Sequence, residues 1–372
     1  MHIAHVIAEC DHASSGTSYF IVNACEALAR SGVDVSLHAL RAPQLKNVAV
    51  KNYHRYSGWR ARLGWSPEML AGLRREAKDA DVIHTNGLWM MPNVYPAWVH
   101  PRKFVVSPHG TLSAWALGRS RLKKKLFGCL AQNPALRRAD MFFATSEKEY
   151  EEIRVAGYRQ PVAIIPIGID VPSEMPKRRK SAGVLKRIVF LGRLHPIKAI
   201  DRLLEAWNSC RADGWEVVIA GPDGGARAAL EGLVETKEIP RVRFVGELLG
   251  PDKEKFLHEA DILALVSHTE NFGASVVEAL SVGTPVLAAR GTPWKGVEEK
   301  RCGWWVDNSV EQLTETLGRI VALPYEELVA MGERGQEWMR RDFSWDGIGM
   351  KMKAAYEWLV NDGEPPEWIK LI

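Results

Sequence analysis

The sequence predicts an α/β protein in which two doubly wound parallel sheets form separate domains. The chain has 372 residues, which is long for one hydrophobic core and sufficient for two. It opens with an apolar strand over residues 2–8, a loop, an amphipathic helix from Gly16 and a second strand, the usual start of a doubly wound sheet. Residues 171–186 have the proline and charge content of a linker, so we expect one domain over 1–170 and a second from 187 onward.

Short apolar runs predict the other strands, and periodic patterns bounded by glycine, proline and capping residues predict the helices. In the first half we expect strands over 33–40, 81–85, 104–107, 139–145 and 162–166, and helices over 67–78, 119–130 and 147–156. In the second half we expect strands over 188–191, 215–220, 242–245, 262–266 and 286–287, and helices over 200–208, 253–259, 274–280, 310–319, 325–341 and 348–359. Ser146 and Glu149 fit a capping box at one helix start.

The charge distribution indicates what kind of partner the protein has. The formal net charge is +4, but residues 1–171 carry 22 Lys and Arg against 14 Asp and Glu, whereas the remainder carries 27 against 31. A basic first half predicts an anionic partner, and membrane lipid is favoured over nucleic acid because no nucleic-acid motif accompanies the charge. Residues 46–63 mix basic and aromatic side chains and fit either an acceptor loop or a solvated surface loop.

Several features indicate a cytoplasmic protein. No run of 18 apolar residues is present, and the N-terminus fits a first strand better than a signal peptide. The five cysteines are scattered without metal or redox spacing and are expected to be free thiols. Asp79-Ala80-Asp81 matches a known metal-binding pattern. However, Asp79 ends a helix and Asp81 opens a buried strand, so we expect no metal there.

One stretch, residues 261–287, suggests the chemistry. An apolar strand leads to a loop with Glu270, Gly273 opens a helix, and Glu278 lies eight positions after the first glutamate. Free amides at a helix N-terminus favour a phosphate, whereas carboxylates repel it and accept hydrogen bonds from hydroxyls. The pattern therefore fits a diphosphate between two polyols, as in a nucleotide sugar. Taken singly, Glu270 also fits a helix cap and Glu278 an exposed helical acid.

Two further candidate sites follow predicted strands. Gly192, Arg193 and Lys198 stand between a strand of the second domain and its helix. A planar guanidinium and a compact ammonium together suit a diphosphate, although either residue alone is commonly a surface cation. His109 follows the strand over 104–107, where an open α/β sheet binds its ligand, although a lone histidine is more often structural.

The helix predicted over 119–130 is basic and amphipathic. Its positive charges include three consecutive lysines, and its apolar side is formed by Leu122, Leu126, Phe127 and Leu130. Two interpretations remain open: a helix that lies on a membrane surface, and a helix that packs on the core with a solvated basic face.

The Glu-x7-Glu spacing, with Phe272-Gly273 after the first glutamate and Ala279-Leu280 after the second, resembles the retaining glycosyltransferases of group 1 (family 4). The resemblance covers nearly the whole chain. It implies two Rossmann-like domains facing across a cleft. Residues 345–372 would cross back to the first domain, and 187–344 would bind the donor.

The resemblance also implies roles for the candidate residues. Glu270 would hold the donor sugar, Glu278 the ribose, and His109 the reacting part of the sugar. Catalytic roles fall on His109, Glu270, Arg193 and Lys198. The implied donor-binding set is Gly16, Arg193, Lys198, Glu270, Asn271, Phe272, Gly273 and Glu278. The chain departs from the family pattern at Ser15, Ile167 and Ala199.

We therefore expect a glycosyltransferase that moves a hexose from a nucleoside diphosphate to a hydroxyl of a glycan or lipid-linked glycan. UDP is expected as the nucleotide because of its frequency in the family. The expected pathway is the synthesis of cell-surface polysaccharide or lipopolysaccharide. The cations would stabilise the leaving diphosphate without a metal or other cofactor, by a front-face retaining route, at the inner face of the cell membrane. The alternatives are a nucleotide-sugar epimerase, a glycan phosphorylase and a sugar-binding protein without chemistry.

Overall fold

The computed structural model describes residues 1–11, 16–118, 121–172, 185–210 and 212–371. Most of the predicted linker, 173–184, lies outside these residues. The described chain forms two compact units. Unit 1 comprises Met1–Gly168 with Trp345–Ile372, and unit 2 comprises Ile169–Ser344.

Each unit is built on its own sheet. The strands of unit 1 up to the linker are β1 (His2–Ile7), β2 (Asp34–Ala39), β3 (Ala49–Asn52), β4 (Val82–Asn86), β5 (Phe104–Ser107), β6 (Met141–Ala144) and β7 (Val162–Ile164). The strands of unit 2 are β8 (Lys186–Leu191), β9 (Trp215–Ala220), β10 (Val242–Gly246), β11 (Ile262–Leu265), β12 (Val286–Ala289) and β13 (Gly303–Val306). A short last strand, β14 (Ile369–Lys370), returns to unit 1.

Helices connect the strands. Those of unit 1 before the linker are α1 (Gly16–Arg30), α2 (Gly58–Leu63), α3 (Pro67–Glu76), α4 (Tyr95–Val99), α5 (Ala114–Gly118), α6 (Arg121–Phe127), α7 (Asn133–Arg137) and α8 (Glu147–Val155). Those of unit 2 are α9 (Ile200–Cys210), α10 (Arg227–Thr236), α11 (Gly250–His258), α12 (Ala274–Ser281), α13 (Gly296–Glu299), α14 (Val310–Val321) and α15 (Tyr325–Asp342). The last, α16 (Trp345–Asn361), belongs to unit 1.

The sheet of unit 1 has the order β14-β7-β6-β5-β4-β1-β2-β3. Every pair is parallel except β14 with β7. The chain order reverses between β1 and β4, so their C-terminal loops diverge and open a crevice at that point. Every residue of β4 and β5 is buried, as expected for parallel strands covered by helices on both faces.

The sheet of unit 2 has the order β10-β9-β8-β11-β12-β13, and all its pairs are parallel. Its chain order reverses between β8 and β11. The core beside it is formed by large buried side chains such as Phe190, Trp207 and Ile219. Two doubly wound parallel sheets are the fold class that the sequence predicts, and that prediction is confirmed.

The last helix, α16, packs on the first unit. Its Trp345 ring lies 6.2 Å from the Phe20 ring of α1, and its Tyr356 hydroxyl lies 2.6 Å from His84 Nδ1 on β4. Both Trp345 and Tyr356 are buried. The predicted return of this helix to the first domain is confirmed.

The structure also contains elements that the sequence did not predict. The interpretation of 46–63 as a loop is wrong in part, because 49–52 form β3 and 58–63 form α2. The helix α10 and the edge strand β13 were not predicted either. All five cysteines are free thiols, as predicted. Among the helices that the structure describes, none combines the length and apolarity required to cross a bilayer.

Candidate active site

The candidate site of unit 2 lies where the chain order of its sheet reverses. Strands β8 and β11 are parallel neighbours, with Ile188 opposite Ile262. The loop after β8 carries Arg193 and Lys198, and the loop after β11 carries Glu270. Because the carboxyl ends of parallel strands meet at one edge, the topology brings together residues that are more than 70 positions apart.

Lys198 and Glu270 form an ion pair at this edge. The Lys198 Nζ lies 2.5 Å from Glu270 Oε1, and Ser267 Oγ donates to the same oxygen at 2.7 Å. The two side chains are only 19% and 12% exposed, so the pair is largely withdrawn from solvent. A cation that can bind a phosphate oxygen and a carboxylate that can accept hydroxyl hydrogens therefore stand side by side.

Arg193 is exposed on a turn that a glycine loop holds in place. The Leu194 amide donates to the Pro222 carbonyl at 2.9 Å, and the Gly224 amide donates to the Leu194 carbonyl at 2.8 Å. A Cβ on Gly221 would lie 1.9 Å from the Gly192 carbonyl oxygen, and a Cβ on Gly224 would lie 2.6 Å from Arg193 Cγ. The glycines of 221–225 thus allow this loop to pack against the arginine turn.

Glu278 lies on α12 and is paired with a lysine that sequence reasoning missed. Lys253 Nζ on α11 donates to Glu278 Oε1 at 2.8 Å. The glutamate side chain is 15% exposed and the lysine 31%. The pair fixes the direction of the carboxylate, so Glu278 is not the exposed helical acid that was the alternative interpretation.

The start of α12 is held by aromatic packing. Gly273 has φ +82°, and a Cβ there would lie 2.8 Å from Leu265 Cδ2. The Trp294 indole N–H donates to the Phe272 carbonyl, and the Phe272 and Trp294 rings lie 5.2 Å apart. Both rings are buried, so a donor contact by Phe272 would fall on its backbone. The donor-binding roles of Asn271, Phe272 and Gly273 stay predictions.

Unit 1 carries the other two candidates. His109 follows β5 and has a left-handed backbone, with φ +51°. Its Nε2 lies 3.1 Å from Asn86 Oδ1, and its ring packs against Phe20 at 5.0 Å. Burial lowers the pKa of His109 to about 4, so the ring is neutral at neutral pH. Gly16 opens α1, and apart from its chain neighbours and the backbone of its own helix no described heavy atom lies within 4 Å of the position of a Cβ on it.

The first half of the capping box predicted at α8 is observed. Ser146 Oγ accepts from the Glu149 amide at 3.2 Å, as predicted. The Glu149 carboxylate accepts from the Thr145 amide and hydroxyl, each at 2.8 Å, and from the Gly110 amide at 2.6 Å. The side chain that was expected only to cap a helix therefore also holds the turn that follows His109.

The discounted aspartate triplet has a structural role. Asp81 accepts from the His2 amide at 2.9 Å and from Arg102 at 2.8 Å. Within the described residues, no group of three or more His, Cys, Asp or Glu side chains is arranged to hold a metal ion.

Comparison with known proteins agrees with this architecture. The family described as Glycosyltransferase Family 4 matches residues 14–172, and the family described as Glycosyl transferases group 1 matches residues 173–338. D-inositol 3-phosphate glycosyltransferase of Actinosynnema mirum is 27% identical over 92% of each chain.

Two solved structures share the fold. HepE of Anabaena, in complex with UDP and glucose, has a TM-score of 0.73 at 19% identity over 95% of this chain and 98% of that one. WaaG, a glycosyltransferase involved in lipopolysaccharide biosynthesis, has a TM-score of 0.65 at 16% identity over 98% of this chain and 100% of that one.

Together, the fold and these matches define a glycosyltransferase with the GT-B fold, which is built from two Rossmann-like domains. The protein is therefore an enzyme. It belongs to the group 1 glycosyltransferases, the family that the Glu-x7-Glu motif indicates.

Proposed function

We propose that the enzyme moves a hexose from a UDP-sugar to a hydroxyl of a glycan or lipid-linked glycan, with retention and without a metal. One observation carries the proposal: the Lys198–Glu270 pair joins two loops at one edge of the sheet. The loop after β8 also carries Arg193, and the loop after β11 leads into the helix that carries Glu278. Cations for a diphosphate and carboxylates for hydroxyls occur together at the crevice where such sheets bind ligands. A sugar receptor without chemistry needs no such cations.

Each residue then has a task. Arg193 and Lys198 stabilise the negative charge that grows on the leaving diphosphate, aided by the free amides at the start of α12. Glu270 accepts from hydroxyls of the donor sugar and Glu278 from the ribose. Since none of the candidate residues is placed as a nucleophile, we propose front-face departure and attack. A covalent glycosyl-enzyme in mass spectra would contradict that route.

The donor and pathway are inferred from relatives. HepE was solved with UDP and glucose, and WaaG acts in lipopolysaccharide biosynthesis. These similarities support a UDP-hexose donor and an acceptor in cell-surface polysaccharide or lipopolysaccharide synthesis. The relatives named D-inositol 3-phosphate glycosyltransferase make a polyol phosphate the second acceptor to assay.

The donor is tested by thermal melting with UDP, GDP, ADP and TDP, each with and without EDTA. A nucleotide at about 100 times its Kd adds roughly 2.7 kcal/mol to the free energy of unfolding, which is readily measured. We expect UDP alone to raise the melting temperature, equally with and without EDTA. A shift abolished by EDTA would contradict the metal-free site, and no shift with any nucleotide would contradict the proposed function.

We further propose that unit 1 rests on the inner face of the membrane through the helical stretch 121–130. Leu122, Leu126 and Leu130 are 84%, 64% and 73% exposed, at a spacing of four residues, and Trp115 on α5 is also exposed. Only Phe127 of the predicted apolar side packs on the core. A leucine ridge in a lysine-rich segment fits an anionic lipid surface.

Vesicle flotation tests this contact. We expect the enzyme to bind vesicles of phosphatidylcholine with phosphatidylglycerol, and to bind pure phosphatidylcholine more weakly. Leu122→Ser with Leu126→Ser should weaken binding by at least about 100-fold, since each buried leucine contributes roughly 1.5–3 kcal/mol. Val155→Ser is the matched control, because Val155 is 88% exposed on α8, away from the ridge. Equal loss in the control, or no binding by the wild type, would contradict the proposal.

A further inference from the structure

A buried network of polar side chains lies under His109 in unit 1. Asn86, the last residue of β4, is 1% exposed. Its Oδ1 is 3.1 Å from His109 Nε2. Its Nδ2 is 3.3 Å from the His84 carbonyl oxygen, 3.5 Å from the Val6 carbonyl oxygen and 3.3 Å from His5 Nδ1. One amide therefore connects the strand-end histidine to the interior of the sheet.

The two carbonyl oxygens determine which way this amide points. A carbonyl only accepts, so the NH₂ end of Asn86 must face Val6 and His84, and its oxygen must face His109. An oxygen acceptor requires a proton on the ring nitrogen opposite. His109 Nε2 is therefore the protonated nitrogen, and in a neutral ring Nδ1 is left as an acceptor.

Burial keeps the His109 ring neutral, and the titratable groups packed near it are mostly neutral as well. His5 on β1 and His84 on β4 lie with their rings 4.9 Å apart, and Tyr356 on α16 donates to or accepts from His84. Burial lowers the pKa of His5 to about 3 and that of His84 well below its ordinary value. Glu149 is the acidic group held at the neighbouring turn. Asn86 presents a neutral amide oxygen to His109 Nε2, which stabilises a positive charge on the ring less than a carboxylate would.

The backbone at His109 is fixed as firmly as the ring. His109 and Gly110 both have left-handed φ values, +51° and +73°. A non-glycine residue adopts this conformation at a cost in free energy, so surrounding contacts must hold it in place. The Glu149 carboxylate, which is buried, holds the Gly110 amide at 2.6 Å and so stabilises the turn from the other side.

We propose that Asn86 is a positioning residue that fixes the Nε2–H tautomer of His109, so that Nδ1 accepts a hydrogen bond from a hydroxyl of the donor sugar. The identity of the ligand in this inference rests on the proposed function, whereas the assignment of the His109 tautomer does not depend on it. A neutral acceptor suits glycosyl transfer, because the transition state places positive charge on the sugar ring and an imidazolium beside it would repel that charge.

The tautomer is tested by ¹⁵N NMR of histidine-labelled full-length enzyme, with the His109 signals identified by their loss in His109→Gln. We expect protonated Nε2 and unprotonated Nδ1, unchanged between pH 7.5 and 5.5. Asn86→Leu should give a mixture of tautomers. Asn86→Asp, which keeps the shape, should bring the imidazolium pattern into this pH range. A proton on Nδ1 in the wild type, or an unchanged pattern in both variants, would overturn the proposal.

Kinetics supply the second readout. Donor turnover should fall about tenfold in Asn86→Leu, the size of one neutral hydrogen bond. In Asn86→Asp, the pH profile of donor turnover should show a decrease at acidic pH that the wild type lacks. Asn23→Leu, which removes an α1 amide that donates to the Tyr19 carbonyl, is the control and should leave the His109 signals unchanged. Absence of turnover with every donor, together with the expected tautomer, would refute the proposed function and the sugar contact but not the role of Asn86.

Discussion

Replacing Lys198 with alanine is expected to lower kcat by roughly 10²–10³-fold, the usual effect of removing one group that stabilises charge in a transition state. The loss should fall on kcat more than on KM, because the charge on the leaving diphosphate grows as the bond to the sugar breaks. Folding should survive, since Glu270 keeps the hydrogen bond from Ser267 and some contact with solvent. Turnover of UDP-sugar by the purified variant, with its melting temperature, measures both effects.

A matched variant distinguishes the effect of losing a site residue from the general effect of losing an ion pair. Lys237 lies 2.5 Å from Glu205, the same separation as in the Lys198 pair, but these side chains are 46% and 36% exposed on the surface of unit 2. Lys237→Ala should leave turnover within about twofold of the wild type, because exposed pairs contribute little. Lys198→Arg should recover only part of the activity, since a planar fork does not replace a compact ammonium. Near-normal turnover of Lys198→Ala would remove this residue from the site.

The parts of the site that the sequence predicted share one physical cause. Arg193, Lys198 and Glu270 each follow a strand whose last four residues are apolar, and parallel strands place such residues at one edge of the sheet. The motif around Glu278 was visible because glycine and proline mark the limits of its helix. The same local signals located most strands of both sheets to within a few residues.

The missed residues act through contacts between distant segments. Lys253 reaches Glu278 from another helix, and Glu149 reaches Gly110 across 39 positions. Asn86 was missed for the same reason. It lies opposite Ser107, two residues before His109, because β4 and β5 are neighbours in the sheet, and no local pattern contains that strand order.

The missed elements lack a strong pattern of their own. Strand β3 has no buried residue, and its conformation depends on pairing with β2. Helix α10 buries only Leu230, so its apolar stripe is faint. For such segments tertiary contacts decide the conformation, as they commonly do where local propensity is weak.

Gly221→Ala is expected to destabilise the protein by roughly 3 kcal/mol and to weaken nucleotide binding at least tenfold. Gly221 has φ +143°, which an L side chain rarely adopts, and its new Cβ would lie 1.9 Å from the Gly192 carbonyl oxygen. A backbone carbonyl cannot rotate away as a side chain can, so the turn that carries Arg193 must move. Melting temperatures with and without UDP measure the loss of stability and the loss of binding separately.

Substitutions at two other glycines test whether the effect of Gly221→Ala on UDP binding comes from the turn that carries Arg193. A Cβ on Gly224 would meet the flexible stem of Arg193 at 2.6 Å and the Leu194 carbonyl oxygen at 2.9 Å, so Gly224→Ala should cost less stability but impair UDP binding similarly. Gly232 lies inside α10, and outside its chain neighbours and the backbone of that helix no described heavy atom lies within 4 Å of a Cβ on it. Gly232→Ala should therefore stabilise by about 0.5–1 kcal/mol and leave binding unchanged. If Gly221→Ala melts and binds UDP as the wild type does, the glycine loop does not hold Arg193. If Gly224→Ala binds UDP normally while Gly221→Ala does not, the loop supports the fold of unit 2 and not the position of the arginine.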